Sequence, residues 1–422
     1  MSLNSIEMNE LIYNLQKSSN PQDVLNAWRL YRGDFSKFAA IIALDDYKQI
    51  ARVKEIVESL NNFRDCVTFY LNTHNLYFLD EKALKTMFIK GTVDFKIDYS
   101  IMFDTNFASY IRKFVKGLSL DNVGNEFYQL VDVLIKKEFQ YDYTIYLTEN
   151  IKEIVNPFTR NCKISEEIIE TIVSFELFKN IDSNEYIKSG KIKYLITKEM
   201  AEYEAKKTIE TYFRNPKMKP YIDDLINLKQ LILLNLIGMF QVHYSSKAGP
   251  KKKMKEYLDF VSTHIGLYLE RESIIAYELF SKNKLLSIFN KMSNNMKAEY
   301  LGERLDNIAW DFLVPRLMER SIAIGGEGDY FIPLLLTFDI GLHNMLKLYP
   351  VKGVVFEKGK IGVIPISELN TDEFFKRNDL NDFIEWFESD SIKRREIAIH
   401  NRTTNYKIIE VQLNQLKKIM FE

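Results

Sequence analysis

Two short apolar runs each end in an aspartate, SIMFD at Asp104 and LLLTFD at Asp339, and each passes directly into a segment of helical periodicity. Between them, residues 151–309 carry apolar residues at helical spacing almost throughout. Strands alternating with helices favour a parallel sheet, because a parallel pair needs a crossover connection and a helix is the usual one. A sheet built from strands this far apart must accommodate a large helical insertion. The chain has 422 residues, room for two or three domains of about 100–200 residues. Its 16 Gly and 9 Pro are too few for a turn-rich all-β fold.

Residues 1–65 read as helical, with SIEMNELIYNLQ and DDYKQIARVKEIVESL placing apolar side chains on one face. DCVTFYLN and LYFLD, within 65–80, fit strand or helix equally. DYSIMFD (98–104) reads as a strand and FYQLVDVLIKKEF (127–139) as an amphipathic helix. YDYTIYLTEN (141–150), rich in Tyr, Thr and Ile, favours a strand. SSKAGPKKKMKEY (245–257) reads as a charged loop, since Gly249-Pro250 ends helices. There follow a helix at 309–323, a GGEGD turn at 325–329, a buried strand at 330–339, a strand pair at 352–366 and a helical tail from Asp372. The expected organisation is an α/β parallel-sheet core in two pieces, 95–150 and 305–368. An all-helical insertion, 151–304, splits them; a mainly helical region, 1–94, and a helical tail, 369–422, flank them.

The net charge is −1, so any nucleic-acid contact needs a local basic patch rather than a global field. Cys66 and Cys162 form no CxxC pair, which argues against a disulfide framework or zinc knuckle and for a reduced, cytoplasmic setting. The start lacks the basic and apolar pattern of a secretory leader. The longest apolar run, 231–240, is interrupted by Asn235 and is shorter than the roughly 20 residues a bilayer span needs, so no membrane segment is expected.

Asp104 and Asp339 end strands, and ligands of parallel sheets bind outside the strands' carboxyl ends. One such acid is commonplace, because Asp also caps the helix that follows. Glu149, after YTIYLT, reads as a third strand-end acid, with Glu153 one helical turn on. Asp311 sits amid Ile308, Ala309, Trp310, Phe312 and Leu313, where an acid must reach an edge or a partner. Pro315 leaves the carbonyl of residue 311 without its donor, so a helix kink or start is expected there.

FDTN (103–106), TEN (148–150), AWDFLVPRLMER (309–320) and LLTFDIGL (335–342) follow one another in this order, and the pattern resembles the PIN-like family of metal-dependent nucleases. The resemblance covers about a third of the chain; the long stretch 151–308 and Pro315 depart from the family's pattern. It implies a PIN-like parallel core and hydrolysis of phosphodiester bonds, in RNA more than DNA. The implied ligands of Mg²⁺ or Mn²⁺ are Asp104, Glu149, Asp311 and Asp339, with Thr105, Asn106 and Thr337 in support. Hard divalent cations prefer such oxygen donors, and clustered acids without a cation repel one another. By analogy with the family alone, a toxin or defence effector is also implied.

Substrate phosphates need cations, and the candidates are Lys113, Arg316, Arg320 and the run Lys251, Lys252, Lys253, although clustered lysines often only solvate a surface. RREIAIH (394–400) places Arg395 and His400 in an R-x4-H arrangement that resembles HEPN-type ribonucleases, which cleave RNA without metal on a helical bundle. The tail alone is too short for a four-helix bundle unless upstream helices join it. No Walker motif, GxGxxG, HExxH or GxSxG occurs. The rival to catalysis is a non-catalytic helical interaction protein on a degenerate PIN-like scaffold, with the helical insertion as the candidate surface for a protein partner.

Overall fold

A computed structural model describes residues 5–30, 37–45, 51–60, 63, 67–71, 75–91, 93–120, 124–154, 165–282, 286–290, 292, 296–380 and 405–422. It is a mixed α/β protein. The described residues supply eight strands: β1 (Phe38–Ala43), β2 (Val67–Phe69), β3 (Leu76–Asp80), β4 (Ile97–Phe103), β5 (Tyr141–Asp142), β6 (Tyr330–Leu336), β7 (Val351–Glu357) and β8 (Val363–Ser367). They form two four-stranded sheets, ordered β3-β1-β7-β8 and β2-β6-β4-β5.

The expected single parallel sheet is therefore corrected. The first sheet is antiparallel and the second mixed. The strand pair expected at 352–366 forms, as β7 and β8, but it pairs with β1, with Ile41 opposite Val354. Residues 1–65 are thus not all helical: FAAIIA is buried from Ala39 to Ala43 and is a central strand. The 65–80 segment resolves into β2 and β3. In the second sheet β4 and β6 do run parallel, in register from Ile97↔Tyr330 to Phe103↔Leu336. β2 lies antiparallel on the outer side of β6.

The chain divides into two compact units. The first comprises residues 1–222, 317–339 and 352–366; the second comprises 223–316, 340–351 and 367–422. In the first unit the helices Ser5–Lys17 and Pro21–Leu30 bury Leu11, Leu15 and Trp28 with Ala40, Ile42, Leu79 and Val355 of the first sheet. The loop before β6 is fixed to the start of β4. Gly326, at φ +67, lets the backbone N–H groups of Glu327 and Gly328 both donate to Asp98 Oδ2 at 2.7 Å. A carboxylate held by two amides pins the β4–β6 register at its open end.

The second unit is built mainly from helices. The helix Pro216–Ser245, most of which (from Asp223) belongs to this unit, is long and apolar enough to cross a membrane by composition, but 78% of its most apolar 18-residue window, of mean hydropathy 1.5, is buried inside the fold. Asn235, which interrupts that run, is fully buried: it donates to Leu231 O at 2.9 Å and accepts from Tyr257 Oη at 2.8 Å. Gly238 lets the Phe260 ring rest on the same helix; a Cβ there would stand 2.4 Å from Phe260 Cδ1. The basic run is not a loop. Gly249 is extended, Pro250 takes the first helical position, where its missing N–H costs nothing, and the helix runs Pro250–Phe260.

Candidate acidic site at the strand ends

Register places the site. Phe103 and Leu336 are the last paired residues of β4 and β6, so Asp104 and Thr337 leave the sheet side by side. Asp104 N–H still reaches Leu336 O at 3.4 Å. Asp104 is extended (φ −75, ψ 172) and caps the helix Thr105–Val115, its Oδ1 accepting from Phe107 N at 2.7 Å. Its Oδ2 accepts from Thr337 Oγ1 at 2.6 Å, and Thr337 Oγ1 accepts from Asp339 N at 2.9 Å. One hydroxyl thus ties the Asp104 carboxylate to the backbone of the turn that carries Asp339.

Burial governs the electrostatics. Asp104 is 4% exposed and Thr337 is fully buried, whereas Asp339 is half-buried. Burial pushes the Asp104 carboxyl up to about 6; the bonds from Thr337 and Phe107 pull it down, and the negative charge of Asp339 pushes it up again. Thr105 follows directly, and its buried hydroxyl has no hydrogen-bond partner among the described residues, while Asn106 is exposed.

The other candidate ligands stand differently. Glu149 does not end a strand. β5 stops at Asp142, whose carboxylate accepts from Thr144 N at 2.8 Å, and the chain turns into the helix Thr144–Glu149. That helix packs on β4 and on the helix Thr105–Val115, with Glu149 half-buried at its last residue. Asp311 does not start a helix: it lies inside Leu301–Ile324, which continues through Pro315, and it belongs to the second unit. Among the described residues no group of three or more His, Cys, Asp or Glu is arranged to hold a metal ion. What the fold does bring together is Asp104, Thr337 and Asp339.

The cation assignments need correction in part. Arg316 is committed to Glu272, with Nη2 2.6 Å from Oε2 and Glu272 fully buried; its Nη1 also donates to Phe312 O at 3.1 Å. Arg320 is 7% exposed, its guanidinium 5.3 Å from the Tyr221 ring centre. Arg316 is thus held in an ion pair and Arg320 is buried. Lys251 pairs with Asp379, Lys253 donates to His243 O at 3.2 Å, and Lys252 is exposed, all in the second unit. Lys113 is half-exposed on the helix that Asp104 caps. Arg395 and His400 lie outside the described residues. Sequence reasoning passed over Glu272, whose only signal was a charged ERES segment opening an otherwise apolar helix.

No family model, curated protein or solved structure matches the chain.

Proposed function

We propose that this chain is a divalent-cation-dependent phosphodiesterase acting on RNA, with Asp104 and Asp339 as its cation-binding acids. The observation that carries the reading is the Thr337 hydroxyl, which donates to the Asp104 carboxylate and accepts from the Asp339 backbone N–H where the parallel strands β4 and β6 end. The donor set suits Mg²⁺ or Mn²⁺, which use one or two carboxylates and take further oxygens from water and substrate phosphate. The raised Asp104 carboxyl and the orphaned Thr105 hydroxyl both suit a bound cation, which would hold the first ionised and give the second a polar neighbour. When bound, such an ion supplies charge neutralisation at the phosphate and an acidified water. The chain's own part is to fix the ligands. Phe107 N–H and Thr337 Oγ1 orient Asp104, and the Thr337 contact to Asp339 N sets the turn that presents the second acid. Glu149, on a helix packed against β4, is the third candidate in the same unit.

A second reading is favoured by one observation. The helix Asn405–Phe421, which follows the R-x4-H motif in the chain, groups with residues 223–316 in a mainly helical unit, the setting that a bundle requires. Arg395 and His400 would then cleave RNA without metal, the imidazole acting as acid or base.

Cleavage of an end-labelled RNA separates the two. The first reading expects activity with Mn²⁺, none with chelator, and at least a hundredfold loss in Asp339→Asn with His400→Ala unaffected. Cleavage that persists in chelator and disappears in His400→Ala would overturn it in favour of the second.

A further inference from the structure

Residues 187–193, Ile-Lys-Ser-Gly-Lys-Ile-Lys, are exposed without exception. They close the helix Ser183–Ser189 and form the turn after it. Ile187 and Ile192 are 58% and 40% exposed, and Leu195 is 66% exposed. The segment is held in this position. Asp182 caps the helix by accepting from Glu185 N at 3.0 Å, and Gly190, at φ +69, ends it with its N–H on Tyr186 O at 2.8 Å. At the base, Asp182 N donates to Lys193 O at 2.8 Å and Leu195 N to Asn180 O at 2.7 Å. Tyr186 Oη donates to Asp132 at 3.2 Å, and Ser183 donates to Glu138. A loop tied at both ends and in the middle cannot fold back to hide its isoleucines.

Charge completes the pattern. From Glu185 to Glu199 the chain carries Lys188, Lys191, Lys193 and Lys198 with no acid between. Lys198 pairs with Glu202, whereas the ammonium groups of Lys188, Lys191 and Lys193 have no ion pair among the described residues. Aliphatic side chains interleaved with lysines match an anionic bilayer surface, where the apolar groups enter below the headgroups and the cations meet the phosphates. A nucleic acid would use the lysines but leave the isoleucines in water, because bases stack on aromatic faces. A protein interface would cover the isoleucines but disfavours lysine.

We infer that the tied loop 187–195 docks the chain peripherally on a membrane surface rich in anionic phospholipid. The test is co-sedimentation of the full chain with phosphatidylcholine vesicles, with and without a phosphatidylglycerol fraction. Binding is expected only with the anionic lipid. Lys188→Gln/Lys191→Gln/Lys193→Gln should weaken it about 100-fold, from about fivefold for each surface lysine. Ile187→Ser/Ile192→Ser should weaken it as well, including at high salt. Every substituted residue is exposed, so the fold should persist. No vesicle binding by the unmodified chain, or binding unchanged in both variants, would overturn the inference. So would a chain that ignores vesicles but loses RNA-oligonucleotide retention in the lysine variant, or one whose self-association disappears in the isoleucine variant.

Discussion

Replacing Asp104 with Asn probes the buried carboxylate directly. The folded chain holds the Asp104 proton up to about pH 6, against an ordinary value of 3.8. That difference corresponds to about 3 kcal/mol, at about 1.4 kcal/mol per pH unit. The sign follows from proton counting: between these values the folded state binds more protons than the unfolded state. The stability Asp104 contributes is full below pH 3.8 and is lost as pH rises through about 6. Asn cannot titrate, and its side-chain oxygen can still accept from Phe107 N. The stability of the unmodified chain relative to Asp104→Asn should therefore fall by about 3 kcal/mol between roughly pH 4 and pH 7. Urea unfolding of both proteins across that range measures it, and other titrating groups cancel in the difference. A difference that stays flat with pH would refute the account of the site. At neutral pH, Mn²⁺ should stabilise the unmodified chain and leave Asp104→Asn unchanged.

Two further predictions concern the second unit. Arg316→Met leaves Glu272 charged and buried, so it should cost about 3–5 kcal/mol, and Glu272→Leu added to it should recover most of that loss; additive losses in a double-mutant cycle would show that the pair is not coupled. Gly238→Ala places a methyl against the Phe260 ring and should cost about 1–3 kcal/mol by overpacking, read as a lowered urea midpoint without a change in slope.

The parts of the fold legible in the sequence were those with one dominant local signal. β4 and β6 are apolar runs ending in an acid, and the long helices carry clear periodicity. β1 was not legible, because FAAIIA is buried on both faces and so shows no alternation; its alanines favour a helix, and only the paired isoleucines hint at a strand. Tyr141–Asn150 failed the other way. Its residues favour a strand, yet the Asp142 carboxylate takes the Thr144 amide and starts a helix after two residues of pairing. Pro315 marked no boundary, since the helix Leu301–Ile324 is packed along its length and tolerates one missing donor. At the site, Asp104 and Asp339 were legible as acids following apolar strands, whereas Thr337 entered only in a supporting role through the PIN-like resemblance. The commitment of Arg316 to Glu272 could not be read, because it depends on which helices meet.

The hydrogen bond from the Thr337 hydroxyl to the Asp104 carboxylate joins residues 233 positions apart. At about 5–20 residues per second, a ribosome needs roughly 10–50 s to travel from one to the other. During that interval β4 has no β6 beside it and β1 has no β7. Both sheets therefore remain unfinished on the nascent chain while the helices between are being made. Cation binding that requires both acids could begin only after Asp339 has emerged, so partial translation products would carry the first acid without its partner.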